Sequence, residues 1–176
     1  MKNTFTIAVL LSALAGPVPC RAAATAADAA SGSTAEHILA IHNRERAAVG
    51  VPPLVWDPTL ATAAASYGPA LAALGRLTHS PRESRPGQRE NLAMGSVGHF
   101  GVGDLVGFWV EEKQHFQPGT FPDVSRTGDW KDVAHYTQMI WKSTTNVGCA
   151  IQPAGDRQYL ICRYTPPGNA DGRLVP

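Results

Sequence analysis

Two ionisable side chains occupy positions of this sequence that otherwise have the pattern of an apolar core. Glu112 shares one face of a predicted helix with apolar residues, which are Leu105, Phe108, Trp109 and Phe116. His135 lies in the apolar and aromatic run from Ala134 to Ala150. A carboxylate carried towards the interior is costly unless a cation, a donor or a metal meets it, so we expect the two side chains to be partners. Glu111 is rotated off that face and is predicted to be a surface carboxylate.

Short motifs around these two residues carry a resemblance to a known family. In chain order they are "LTHS" (77–80), "RENLA" (89–93), "FWVEEK" (108–113), "AHYTQ" (134–138) and "YLICRYTPPGN" (159–169). Together they resemble the CAP superfamily, which contains cysteine-rich secretory proteins, insect venom antigens and plant pathogenesis-related class 1 proteins. The resemblance runs from about residue 38 to residue 169. It implies an α+β fold with three layers, α-β-α.

The resemblance also implies a site. It places four side chains around a central cleft, namely His79, Glu90, Glu112 and His135. In relatives the two histidines hold a divalent metal, often zinc, with the carboxylates nearby; two neutral imidazoles and water suit Zn²⁺ as a shallow site. Tyr136 and Gln138 match the family motif and are predicted to line the cleft as well. The alternative is a hydrogen-bonded polar cluster that braces the cleft and binds metal only weakly.

The sequence departs from the family pattern at two positions. Arg89 precedes the first glutamate and Ala134 precedes the second histidine, where relatives have glycine. Ala134 is an easy helix residue and should be harmless. For Arg89 two alternatives stand: it leans over the cleft and pairs with Glu90, or it points to solvent.

Two further polar features have structural interpretations. His42, Asn43 and Arg46 match the family's "HNxxR" element and are predicted to dock the first helix through hydrogen bonds. Ser80 follows His79 directly, and adjacent side chains seldom face each other, so a serine nucleophile is not favoured.

Two functions from different classes follow. The first is a binding or interaction module whose cleft holds a small or lipid-like ligand and a weakly bound divalent metal. The second is a metal-assisted hydrolase that uses Glu90 or Glu112 as general base. The sequence has no "HExxH" or other hydrolase motif, which favours the first.

The elements that position the site follow a leader. Residues 1–24 have a positive start, an apolar stretch and small residues before a cleavage point, which predicts export to the periplasm or the medium; a lipid anchor on Cys20 is the alternative. Residues 25–34 are predicted to be a flexible lead-in and 35–176 one domain. Helices are predicted from Ser33 to about Gly50, from Asp57-Pro58 onward, over 104–116 and over 132–141.

The two cysteines that remain after the leader are predicted to pair. Cys149 and Cys162 lie in short strand-like runs on either side of a turn near Gly155, so a hairpin would place them opposite each other. The bridge would contribute about 3 kcal/mol on the chain-entropy model; two buried free thiols are the alternative.

The charge balance argues against a polyanion partner. The whole sequence has a formal net charge of +1, and loss of Lys2 and Arg21 with the leader brings it to about −1. Nucleic-acid binding is not expected, and no segment has the length and character of a membrane span.

Overall fold

The structure is a computed structural model that describes residues 26–176, with side chains from residue 34 onward. The predicted leader, including Cys20, lies outside the described residues. The helices are α1 (Ala26–Ala48), α2 (Pro58–Leu74), α3 (Val102–Glu111) and α4 (Ala134–Met139). The strands are β1 (Val55–Trp56), β2 (Arg89–Ser96), β3 (Gly119–Thr120), β4 (Asn146–Ala154), β5 (Arg157–Thr165) and β6 (Leu174–Val175).

The sheet forms the middle of three layers. Its strand order is β1-β4-β5-β2, with β1 parallel to β4 and the other pairs antiparallel. Alternate residues of β5 point to opposite faces: Tyr159 and Ile161 pack with α2, whereas Leu160 and Tyr164 pack with α1 and α3. The predicted α+β class and α-β-α arrangement are confirmed.

The β4–β5 hairpin is as predicted. Cys149 and Cys162 are directly opposed in the strand register and form a disulfide with a Cα–Cα distance of 4.1 Å. The turn is at Gly155, whose φ of 62° suits a glycine.

The first helix begins earlier than predicted. It starts at Ala26, so the predicted start at Ser33 is wrong, and residues 26–34 of the predicted flexible lead-in are helical. Alanine is the best helix former, and the Ala-rich composition that suggested a linker instead extends the helix. Arg46, near the end of α1, donates to the carbonyls of Met139, Trp141 and Thr144, which confirms the docking role of the "HNxxR" element.

The two helices that carry the site are shorter than predicted. α3 ends at Glu111, and Glu112 opens a 3₁₀ turn over Glu112–Gln114. The segment before His135 is also a 3₁₀ turn, Trp130–Val133, which leads into the six residues of α4. Among the described residues, no helix is long and apolar enough to cross a membrane.

Candidate functional site

A central cleft of about 470 Å³ lies between the loop after α2, the start of β2, α4 and the loop after β5. Of the four predicted side chains, His79, Glu90 and His135 line it, whereas Glu112 lies behind His135. The four side chains form two histidine–carboxylate pairs.

The first pair is His79 with Glu90. The Nδ1 of His79 donates to Oε1 of Glu90 at 2.7 Å, and the histidine side chain is 53% exposed while that of the glutamate is fully buried. The backbone N–H and the hydroxyl of Ser80 donate to the same carboxylate, each at 3.0 Å. Ser80 is therefore a support for Glu90 and not a nucleophile activated by its neighbour.

Glu90 also has a buried cation as a partner, which the motifs did not reveal. The Nη2 of Arg163, on β5, lies 3.0 Å from Oε2 of Glu90. Burial by itself raises the pKa of Glu90. The hydrogen bonds from His79 and Ser80 and the charge of Arg163 outweigh it, so that the pKa is lowered below its ordinary value. The carboxylate stays ionised.

The second pair is His135 with Glu112. The Nδ1 of His135 donates to Oε1 of Glu112 at 2.5 Å. The other carboxylate oxygen accepts the backbone N–H groups of His135 and Tyr136, both at 2.9 Å, at the start of α4. The imidazole is also stacked on Trp109, with ring centroids 6.0 Å apart and an interplanar angle of 14°. Glu112 thus fixes both the backbone and the ring of His135.

In both pairs the histidine faces its carboxylate with the same ring nitrogen, Nδ1. An ionised carboxylate only accepts hydrogen bonds, so Nδ1 of each histidine carries the proton and Nε2 of the neutral ring has a free lone pair. This is the way in which carboxylates orient metal-binding histidines. Within residues 26–176 no group of three or more His, Cys, Asp or Glu side chains could hold a metal ion. The donors that the two pairs leave available at the cleft are thus two imidazole nitrogens, the Nε2 atoms of His79 and His135, fewer than a structural zinc site uses.

Removal of the Glu112 carboxylate is expected to disturb α4. Glu112→Ala leaves two backbone N–H groups and the His135 ring without their acceptor, and we expect the free energy of unfolding to fall by about 1–2 kcal/mol. Urea denaturation measures it. Glu111→Ala, at an exposed neighbour, is the matched control and should change little. Equal effects of the two substitutions would contradict the assignment.

Of the two further residues predicted to line the cleft, Gln138 does so and Tyr136 does not. Gln138 lines the cleft as predicted, and its side chain accepts the N–H of Gly168 at 3.0 Å. The prediction for Tyr136 was wrong: it is fully buried, with its ring 5.4 Å from that of Phe116. Neighbours two apart on a helix point in different directions, so only one could face the cleft.

Arg89 lines the cleft, as in the first of its two predicted alternatives, but it does not pair with Glu90. Its guanidinium donates to the carbonyls of Gly168 (2.8 Å) and Asn169 (3.0 Å), across the cleft from β2, and makes no ion pair with Glu90 among the described residues. Ala134 has φ −64°, an ordinary helical value, as expected. Asn169, which sequence reasoning missed, ties the same loop to α4 by donating to the Ala134 carbonyl at 2.8 Å.

A buried polar chain connects the site to α1. Asn91 donates both to the carbonyl of His135 (3.1 Å) and to the hydroxyl of Tyr164 (3.2 Å). The Tyr164 hydroxyl in turn lies 2.8 Å from Nε2 of His42, whose Nδ1 donates to the Ile38 carbonyl. The chain of donors fixes the His42 tautomer, because Nδ1 must carry the proton.

The fold and the cleft define a class of protein: a small α-β-α sandwich with two histidine–carboxylate pairs around one cleft. The chain belongs to the CAP family, described as the cysteine-rich secretory protein family, which matches residues 39–164.

Several curated proteins are similar over most of their length. Pathogenesis-related protein 1C of Nicotiana tabacum is 38% identical over 136 residues, 77% of this chain and 76% of the tobacco protein. Pathogenesis-related protein PRMS of Zea mays is 36% identical over 155 residues, covering 86% of this chain and 88% of the maize protein. Secreted protein RBT4 of Candida albicans is 34% identical over 164 residues, 86% of this chain but 42% of the fungal protein.

Solved structures agree on the fold. The crystal structure of NaASP2 with Zn²⁺ has a TM-score of 0.68 at 22% identity, and the match covers 82% of this chain and 85% of the NaASP2 chain. The crystal structure of Na-ASP-1 has a TM-score of 0.66 at 24% identity, and the match covers 81% of this chain and 41% of the Na-ASP-1 chain. Likeness at such identities concerns the fold alone.

Proposed function

We propose that this protein is an exported binding module whose central cleft holds a small ligand, with a divalent metal such as zinc bound weakly by His79 and His135. One observation carries the proposal: two imidazoles line one cleft, each with Nδ1 bonded to a carboxylate and with no hydrogen bond to Nε2 from the residues that the structure describes. Export is supported by the leader-like residues 1–24 and by the relative named as a secreted protein.

The nature of the cleft favours a polar ligand. Its lining is largely ionisable or amide side chains, with Phe121 and Trp130 as the aromatic exceptions. Apolar pockets are the usual sites for lipid chains, so a lipid-like ligand would place its polar end here. Native mass spectrometry of the exported protein tests this: a co-purifying small molecule supports the proposal, and its absence under all gentle conditions argues against it.

Hydrolysis is the less favoured function. A general base near neutral pH needs a pKa close to the working pH, whereas the pKa of Glu90 is lowered by its hydrogen bonds and by Arg163. Glu112 already accepts three hydrogen bonds at the start of α4. Both carboxylates have the environment of positioning groups.

Zinc fits the donor set, and the name of the NaASP2 structure supports it as a ligand of this fold. A bound zinc would act as a Lewis acid towards a ligand oxygen. We expect weak zinc binding at neutral pH that fades at mildly acidic pH, because protons compete for imidazole nitrogens, which ordinarily titrate near pH 6.5. Calorimetric zinc titration at both pH values measures this.

Paired variants provide the control for the zinc titration. The double substitution His79→Ala with His135→Ala should abolish binding. His37→Ala with His99→Ala, which removes two exposed histidines outside the cleft, should leave it unchanged. Zinc affinity that survives loss of His79 and His135 would place the metal elsewhere and leave the pairs as a structural cluster.

A further inference from the structure

Three arginines from the segment after His79 surround the mouth of the cleft. Arg82, Arg85 and Arg89 line the central cleft and also an adjoining cavity of about 240 Å³, formed with the Pro86–Gln88 turn. The two cavities share all three arginine residues. We call this set the arginine rim.

The positive charge of the rim has little compensation. Within the described part of the chain, none of the three arginines has a carboxylate at ion-pair distance, although Arg85 is only 8% exposed. Arg163, by contrast, has Glu90 as its partner. Burial and then the charges of Arg82 and Arg85 lower the pKa of Arg89, which Asp171 only partly opposes. Two carboxylates line the same cleft, but Glu90 is already paired with Arg163, so Asp171 is the one left to offset the three rim cations among the described lining residues.

Two of the three guanidinium groups are held in place by backbone carbonyls. Arg85 donates through Nε to Ser80 and through Nη1 to Gln88, both at 3.2 Å. Arg89 donates through Nε and Nη2 to Gly168 and Asn169. Among the described residues Nη2 of Arg85 and Nη1 of Arg89 have no acceptor. Donors fixed in this way lose little entropy when a ligand binds.

We infer that the arginine rim binds the phosphate group of a small soluble molecule whose remainder occupies the cleft. The proposal rests on the proposed function, because it names the ligand class of the same cleft. Guanidinium groups match phosphate oxygens in geometry and charge, and a dianion offsets the excess positive charge. A buried arginine without a counter-ion is costly, and an anion next to Arg85 removes part of that cost.

Calorimetric titration of the full exported protein with inorganic phosphate and with glycerol phosphate tests the inference. Binding should be measurable at low salt and should weaken as salt rises. Arg82→Ala removes an exposed rim cation and should reduce affinity for both probes about tenfold. Arg89→Lys keeps the positive charge but loses the planar pair of N–H donors of the guanidinium group, so it should reduce affinity as well. Arg76→Ala, at an exposed arginine outside both cavities, is the matched control and should have no effect.

The contrary results are distinct. No heat from either probe, or an equal loss of affinity in Arg82→Ala and Arg76→Ala, would overturn the inference. Binding only to vesicles that contain phosphatidic acid, and not to the soluble probes or to phosphatidylcholine vesicles, would also overturn it. If zinc or a phosphate-free ligand binds in the cleft while phosphate does not, the proposed function stands and the phosphate assignment alone fails.

Discussion

Glu90→Gln is expected to lower the free energy of unfolding by about 3–5 kcal/mol, because it leaves Arg163 buried without its anion. The carboxylate lies 3.0 Å from a guanidinium whose side chain is 3% exposed. The Nε and Nη1 atoms of Arg163 have no hydrogen-bond partner among the described residues, so Glu90 is the main compensation for this charge. Urea denaturation at neutral pH measures the loss.

A second substitution separates the ion pair from simple packing. Adding Arg163→Met to Glu90→Gln removes the unpaired cation and should recover much of the lost stability, since apolar replacements of buried ion pairs are often neutral. Glu36→Gln, at an exposed position on α1, should cost little. A Glu90→Gln effect as small as that of Glu36→Gln, or no recovery in the double variant, would show that the pair does not stabilise the fold.

The pH dependence of the same pair has a defined sign. The folded-state pKa of Glu90 is lowered, so its contribution is present above the ordinary pKa of a glutamate and is lost as pH falls through the folded value. The pair therefore supports the cleft at neutral pH and weakens it in strong acid.

Local patterns were enough to predict one histidine–carboxylate pair, His135 with Glu112, and the hairpin. Glu112 and His135 are each an ionisable residue in an apolar sequence pattern, and a buried ionisable group needs a polar partner. In the structure they are each other's partner, with His135 Nδ1 2.5 Å from Glu112 Oε1. Cys149 and Cys162 lie on two strands that a short turn joins, so their spacing along the chain determines the register. Both predictions rest on contacts that the sequence pattern itself constrains.

Contacts between distant segments could not be predicted in this way. Arg163 is an unremarkable residue of a strand until β5 pairs with β2 and places it opposite Glu90. Arg89 reaches Gly168 only because the loop after β5 crosses the end of β2. Tyr136 was assigned to the cleft because the family motif gives its identity but not its direction on a short helix.

The two histidine–carboxylate pairs are held in place by different sets of residues. His79 and Glu90 depend on β2, Ser80 and Arg163, whereas His135 depends on Glu112, Trp109 and the chain through Asn91. Each imidazole thus has its own fixed carboxylate, and neither carboxylate is shared. His135 is in addition connected to α1, through Asn91, Tyr164 and His42.

The free energy of unfolding of the native protein should fall as the pH drops from 6.5 to about 4, and His42→Gln is expected to make this fall smaller by about 3 kcal/mol. Complete burial lowers the pKa of His42 from 6.5 to about 4; the Ile38 carbonyl opposes this shift and the charge of Arg46 adds to it. In that window the unfolded chain binds a proton that the folded chain does not, so acid favours unfolding. Urea denaturation across the pH range measures the slope. His37→Gln, at an exposed position of α1, should keep the native slope, and equal slopes in both variants would exclude His42 as the titrating group.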